Sequence, residues 1–418
     1  MRVGIDARFF GPVGKGLGRY VERLVENLEK LDPIRSFSEP MNSAEQQTQG
    51  ERGVEEKKNT SASYGAGSQN EYIIFLRKEN WDYYTPKVSN FKKVLADYPW
   101  YSLKEQIMMP FVIRREKLDL VHFPHFNIPI FCPAKFVATI HDLILLQFPT
   151  PRATTLGPLL YKIKYFGYRL VIGLGLRRAK KVITVSECTK KELVKFFKIN
   201  PEKIDVTYEA CDGVEYGQLK IPEKKHLAKF GITKPYLLYV GNAYPHKNLE
   251  GLIKIFPKLN LDCQLVLVGR EDYFYKRMKE EIKGTAIQKN IIFTDFVSEA
   301  ILADLYRNAR VYVFPSFVEG FGLPGIEAMS YGLPLAASNS SCLPEIYGDA
   351  AVYFNPKDEQ EMIEKIKFVW TDEPTRQNLI KLGLEQVKKY SWQNLAEKTL
   401  QIYQSVASST NVFSSNRL

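Results

Sequence analysis

At 418 residues the chain exceeds the size at which a single hydrophobic core usually stops growing, so two domains are expected. Its 45% hydrophobic and 25% charged residues are those of an ordinary globular protein, which excludes a disordered or fibrous chain. No run approaches the ~18 apolar residues that span a bilayer, and the longest, Tyr168 to Leu176, carries Arg169.

The opening Met1-Arg2-Val3-Gly4-Ile5-Asp6 reads as a strand and not as a signal peptide, so a cytoplasmic location is expected. In the first half, short apolar runs alternate with helix-length amphipathic segments, the pattern of βαβ units on a parallel sheet. The predicted strands there are Val3–Ile5, Tyr72–Leu76, Leu118–Phe123, Phe136–Ile140, Val182–Val185 and Ile204–Tyr208, with a helix over Gly18–Leu31. Residues 38–70 follow that helix, rich in Ser, Gln, Glu, Gly and Asn and almost free of large apolar side chains. A loop there would usually have about 2–6 residues, so a disordered insertion is expected.

In the second half the predicted strands are Tyr236–Val240, Leu265–Val268, Ile291–Phe293, Val311–Phe314, Leu335–Ala337 and Val352–Phe354. Runs such as Gln264-Leu-Val-Leu-Val-Gly269 suit sheets covered by helices on both faces. The polar stretch Gly213–Phe230 marks the boundary, giving an N-domain over 1–215, a C-domain over 216–395 and a terminal segment over 396–418 with a disordered tail. The five cysteines, at 132, 188, 211, 263 and 342, lack metal-ligand spacing and read as reduced, buried thiols.

The stretch from Phe314 to Pro334 carries the most chemistry. A strand ends at Phe314, a glycine-rich loop follows, and Pro324 stands where a helix can begin, which aims free backbone N–H groups at a ligand such as a diphosphate. Gly320 and Gly322 allow close approach, and Glu319 and Glu327, the latter expected on the first helical turn, can accept hydrogen bonds from vicinal hydroxyls. Among the histidines, His141 closes a strand beside Asp142, where α/β sheets bind ligands, while His122 and His125 fit loop packing equally well. No DxD sequence occurs, so neither metal nor other cofactor is expected.

Glu319-Gly-Phe-Gly-Leu-Pro-Gly-Ile-Glu327 resembles the paired-glutamate motif of family 4 glycosyltransferases, retaining enzymes of the α/β GT-B fold with two Rossmann-like domains facing across a cleft. Other blocks agree in order: Gly16-Leu-Gly-Arg-Tyr20, Ile140-His-Asp142, Val185-Ser-Glu-Cys-Thr-Lys-Lys-Glu-Leu193 and Tyr239-Val-Gly-Asn-Ala-Tyr-Pro-His-Lys-Asn248. The resemblance implies catalytic roles for His141, Lys247 and Glu319, with Lys247 neutralising the departing diphosphate. It implies donor contacts at Gly16, Gly18, Asn242, His246, Lys247, Gly320, Phe321, Gly322, Leu323 and Glu327, and a final helix crossing back to the N-domain. Asn242 stands where many members carry arginine, and His246 or Arg270 is the candidate replacement charge.

The implied reaction is retaining transfer of a hexose, mannose or glucose, from a GDP- or UDP-linked donor to a glycan or lipid-linked acceptor. The alternatives are a nucleotide-sugar epimerase, which needs no acceptor, and a glycan phosphorylase, which needs pyridoxal phosphate. A nucleic-acid partner is not expected despite the net charge of +11, because the basic stretch lacks aromatic platforms. That stretch, between Asp142 and Glu187, holds no acid and eight bases: Arg152, Lys162, Lys164, Arg169, Arg177, Arg178, Lys180 and Lys181. Apolar residues interleave with them, so residues 151–181 are a candidate docking surface for an anionic membrane.

Overall fold

The computed structural model describes residues 1–33, 70–149, 158–212 and 225–408, and the side chains of 158–164, 225 and 226 lie outside that description. The predicted insertion (all but Asn70), most of the boundary stretch, residues 151–157 of the basic stretch and the tail from 409 fall outside the described residues.

Among the described residues thirteen strands form two all-parallel sheets. The first contains β1 (Arg2–Asp6), β2 (Glu71–Leu76), β3 (Phe91–Leu95), β4 (Leu120–Phe123), β5 (Lys135–Ile140), β6 (Lys181–Thr184) and β7 (Ile204–Val206), in the order β3-β2-β1-β4-β5-β6-β7. The second contains β8 (Tyr236–Val240), β9 (Gln264–Val268), β10 (Ile291–Asp295), β11 (Val311–Phe314), β12 (Leu335–Ser338) and β13 (Ala351–Phe354), in the order β10-β9-β8-β11-β12-β13. Both follow the doubly wound pattern, whose strand order reverses between β1 and β4 and between β8 and β11. A crevice opens at each reversal, beyond the carboxyl ends of the strands.

The helices of the first half are α1 (Lys15–Leu31), α2 (Leu103–Arg115), α3 (Ile144–Gln147), α4 (Pro158–Arg178) and α5 (Glu187–Phe197). Those of the second are α6 (Lys225–Ala228), α7 (Leu249–Ile255), α8 (Tyr273–Ile282), α9 (Glu299–Asn308), α10 (Leu323–Ser330), α11 (Leu343–Tyr347), α12 (Glu359–Thr371), α13 (Glu373–Val387) and α14 (Trp392–Ser408). The α1 sequence buries Tyr20, Val21, Leu24, Val25 and Leu28, a three-and-four spacing that gives one apolar stripe. That stripe packs on α14, which returns to the N-domain and covers the sheet beside β4. The opposite face of the same sheet lies under α2 and α4, where Met109, Val112, Ile172 and Leu176 meet Phe75, Val121 and Phe123.

One strand was not foreseen: β3, at the sheet edge, whose Phe91-Lys-Lys-Val-Leu95 sequence carries two lysines on a short run. An edge tolerates such charges, and the Lys93 ammonium settles over the Trp81 ring while donating to two backbone carbonyls. All five cysteines are free thiols, but Cys188 is half-buried and not buried as expected. The apolar residues of α4 do not share one outward face, since Ile172 and Leu176 are core while Phe166 and Leu170 are exposed.

Candidate active site at the facing crevices

The C-domain half of the site is built at the β8/β11 reversal. The loop after β8 runs through a single 3-10 turn, Pro245–Lys247, and the loop after β11 runs to the start of α10. Lys247 Nζ reaches across and donates to both carboxylate oxygens of Glu319, at 2.6 and 2.8 Å. Both side chains are largely buried, so the pair is stronger than a surface ion pair and is over-determined from behind: Ser341 Oγ donates to the Glu319 carbonyl at 2.7 Å.

The glycines of this loop meet protein, a correction to the expectation that they leave room for a ligand. A Cβ on Gly320 would stand 2.1 Å from the His141 carbonyl oxygen of the N-domain. Ser186 Oγ, which also caps α5, donates to the Gly320 carbonyl at 2.8 Å. Gly322 has φ of +96° and faces the Tyr347 hydroxyl, which donates to its carbonyl at 2.7 Å. Phe321 is buried against Tyr208 and Tyr390, so only its backbone remains for the cleft. Leu323 and Pro324 open α10 at the cleft, as the sequence predicts, but Glu327 is its fifth residue and sits one turn deeper than expected.

Of the remaining C-domain candidates, Asn242 is exposed and its carbonyl accepts from the Tyr239 hydroxyl at 2.8 Å. His246 is buried, and burial together with the neighbouring Lys247 lowers its pKa to about 4. It is therefore neutral near pH 7 and does not supply the charge absent at Asn242.

The N-domain half lies at the ends of β1, β4 and β5. His141 uses both ring nitrogens: Nδ1 is 2.9 Å from a Glu209 carboxylate oxygen and Nε2 is 2.9 Å from the Pro124 carbonyl. A carbonyl can only accept, and a carboxylate accepts as well, so this pair of contacts favours the doubly protonated ring. Burial opposes that charge, but the Glu209 carboxylate outweighs it and the pKa is raised. Burial also raises the pKa of neighbouring Asp142. Glu209 was not foreseen, although its place just past the end of β7 is a position where such sheets carry function.

Gly16 and Gly18 part company. Nothing lies within 4 Å of a Cβ built on Gly16, which leaves open approach. One on Gly18 would fall 2.0 Å from the Gly11 carbonyl, so that glycine lets α1 pack closely on the turn before it. His122 is fully buried, 2.6 Å from the Tyr403 hydroxyl and 2.8 Å from Thr139 Oγ1, with burial lowering its pKa to about 3. His125 is likewise lowered to about 3 by burial and packs against Phe126. Loop and core packing account for both.

The two halves are bolted together by contacts that motif reading missed. Arg19 on α1 pairs with Glu327 on α10 and, at 3.1 Å, with Asp212. Tyr306 donates to the other Glu327 oxygen at 3.1 Å. Arg19 stood inside the quoted glycine block, but nothing in its spacing shows which carboxylate it meets. Glu345 on α11 accepts from the Glu187 and Cys188 amides at 2.7 and 2.8 Å, capping α5 from the other domain. Phe148 and Phe317 stack across the mouth with centroids 5.5 Å apart, beside a cavity of about 280 Å³. Among the described residues no group of three or more His, Cys, Asp or Glu side chains is arranged to hold a metal.

Two facing doubly wound domains, with charged loops converging from both reversal points, define a GT-B enzyme. Residues 62–212 match the family described as Glycosyltransferase Family 4, and residues 222–386 match Glycosyl transferases group 1. The chain is 29% identical over 317 residues to O-antigen chain mannosyltransferase B of Escherichia coli, covering 72% of this chain and 78% of that one. It is 30% identical over 283 residues to O-antigen chain mannosyltransferase RfbU of Salmonella typhimurium, covering 67% and 73% respectively. Among solved structures, sucrose-phosphate synthase from Thermosynechococcus elongatus superposes with a TM-score of 0.71 at 18% identity, over 98% of this chain and 100% of that one. WaaG, a glycosyltransferase involved in lipopolysaccharide biosynthesis, superposes with a TM-score of 0.65 at 15% identity, over 96% and 99%. The chain belongs to the family 4, group 1 glycosyltransferases and is a hexosyltransferase.

Proposed function

We propose that the enzyme transfers mannose, with retention of configuration, from a GDP- or UDP-linked donor to a glycan acceptor carried on a lipid. The observation that carries this reading is the buried Lys247–Glu319 pair at the β8/β11 reversal, facing His141 and Asp142 across the cleft. The two O-antigen mannosyltransferase relatives support mannose over glucose.

The bond from the sugar's anomeric carbon to phosphate breaks while the acceptor oxygen attacks from the same face. The leaving phosphate oxygen takes the acceptor's proton. Lys247 stabilises the diphosphate as charge develops on it, an interaction stronger in the transition state than in the bound donor. Glu319 orients Lys247 and accepts from the sugar's hydroxyls, and Glu327 accepts from those of the ribose. A retaining glycosidase needs two carboxyls about 5.5 Å apart as nucleophile and acid, and no pair here is assigned those roles. A glycosyl-enzyme adduct found by mass spectrometry would overturn the same-face step.

No metal is assigned a role, so activity should survive chelation by EDTA. Thermal-shift screening against GDP-mannose, UDP-glucose and their nucleotides tests the donor, because a ligand that binds only the folded state raises apparent stability. The reading falls if no mannose nucleotide stabilises the protein or yields product.

Among the described residues no helix is long and apolar enough to cross a membrane. Peripheral docking on an anionic surface through 151–181 is part of the proposal, supported by the acid-free stretch and the exposed Phe166 and Leu170. Co-sedimentation with anionic but not neutral vesicles, weakened by Arg169→Glu, is the expected result.

A further inference from the structure

Next to the reacting end of the N-domain lies a cavity of about 570 Å³, enclosed by the start of α2, the loop after β4, α3 and α4. Its walls are Tyr101, Leu103, Phe126, Leu145, Tyr168 and Val171. The polar residues in the lining are already engaged. Asn127 donates to Glu105 at 2.7 Å, Glu105 is paired with the buried Arg8, and Gln106 accepts from the Ile130 amide at 2.9 Å. What remains is an apolar, aromatic-walled space without the free hydrogen-bonding groups a sugar needs.

The surface around it is apolar as well. On α2, Leu103, Ile107 and Phe111 follow one another at helical spacing and are 83%, 59% and 64% exposed. Phe166 and Leu170 repeat this on α4, and Phe131 stands out from the neighbouring loop. Eight of the fourteen exposed large hydrophobics among the described residues lie on these elements, so the patch is not random scatter. Cations are held at its rim: Lys104 over the Tyr98 ring and Arg169 over the Tyr165 ring, within the acid-free stretch. An apolar cavity with a basic rim complements an amphiphile with a hydrocarbon chain and an anionic head.

The cavity also borders the chemistry. Leu145, on α3, comes three residues after Asp142, and Phe126 continues from Pro124, whose carbonyl holds His141. We propose that this cavity takes the first segment of the hydrocarbon chain of a lipid-phosphate acceptor, presented from the bilayer. This rests on the lipid-linked acceptor of the preceding section and sharpens it.

The test is calorimetric titration of the full-length enzyme with farnesyl phosphate below its micelle concentration, with inorganic phosphate as control. Val171→Trp narrows the cavity. Leu103→Glu charges its exposed lip, at the first turn of α2 where an acid is well tolerated, so this variant keeps the test valid if the tryptophan variant misfolds. Saturable binding of farnesyl phosphate, weakened at least tenfold by Val171→Trp and severalfold by Leu103→Glu, is expected, with thermal stabilisation by the nucleotide sugar unchanged. Binding no tighter than inorganic phosphate, or equal binding by the folded variants, overturns the proposal. So does sedimentation showing a dimer that Leu103→Glu dissociates, which would make the patch a contact between copies. Loss of nucleotide-sugar stabilisation in the wild type would instead sink the donor reading, which farnesyl phosphate binding does not touch.

Discussion

Glu319 lies on the loop after β11 and Glu327 on the helix α10 that follows it, yet they take their cations from different places. Glu319 is gripped through both oxygens by Lys247 of its own domain. Glu327 pairs with Arg19 of the facing domain and receives the Tyr306 hydroxyl from its own. The first pair survives any shift of one domain against the other, whereas the second exists only while the domains face each other as they do here. A ligand that engages Glu327 must compete with a contact between the domains, so binding there is coupled to how they face each other.

The strongest test of this contrast is Lys247→Ala, for which we expect kcat to fall about 10²–10³-fold, the scale of removing one preorganised charge-stabilising group. The same change strands the buried Glu319 carboxylate, so the melting temperature should fall too. Adding Glu319→Gln should recover stability without recovering activity. If the double variant melts no higher than the single one, the two residues do not act as a unit. Glu319→Gln alone should impair transfer by about 10–100-fold with the fold intact, as loss of one charged hydrogen-bonding partner does; wild-type turnover would remove Glu319 from the site.

A smaller effect should appear in pH dependence, where the two rims oppose each other. Despite burial, Glu209 raises the pKa of His141 above the ordinary value of about 6.5. The stability it contributes is fully present below that value and is lost as pH rises through the raised one. Burial and Lys247 lower His246 to about 4, so its environment costs stability as pH falls from about 6.5 towards 4. Glu209→Gln should therefore destabilise by about 1–2 kcal/mol at pH 6, the scale of a hydrogen bond to a charged group, and by less as pH rises. A deficit that is flat with pH would show that His141 carries no such charge. The smallest energetic effect is expected from Arg19→Ala, about 0.5–1 kcal/mol for a partly exposed pair. It alone should enlarge the radius of gyration in solution scattering, while Lys247→Ala should not. Identical scattering from both would erase the distinction between the two carboxylates.

The sheets were legible because fully covered parallel strands read as apolar runs, and twelve of the thirteen strands among the described residues fall where such runs occur. Edge strand β3 escaped because its lysines need only solvent and one indole ring. Lys247, Glu319 and the start of α10 follow from local order along two loops, which a sequence displays directly. Arg19–Glu327 and Glu187–Glu345 join residues more than a hundred positions apart, and the glycine beside His141 is explained only by the opposing domain. Motif spacing carries no information about such partners, so the packing that Gly18 and Gly320 make is visible only in the fold.

The return of α14 to the N-domain has a consequence for how the chain is made. The ribosome finishes every N-domain strand before the second sheet begins, and domains generally fold in the order they emerge. Here that order is incomplete. The α1 stripe packs on α14, and the buried His122 meets the Tyr403 hydroxyl, once that helix, the last among the described residues, has been made. Throughout translation of residues 225–391 the N-domain would carry an uncovered apolar strip, a binding site for a chaperone on the nascent chain. A premature stop before Trp392 should leave both domains translated and the first of them unfinished.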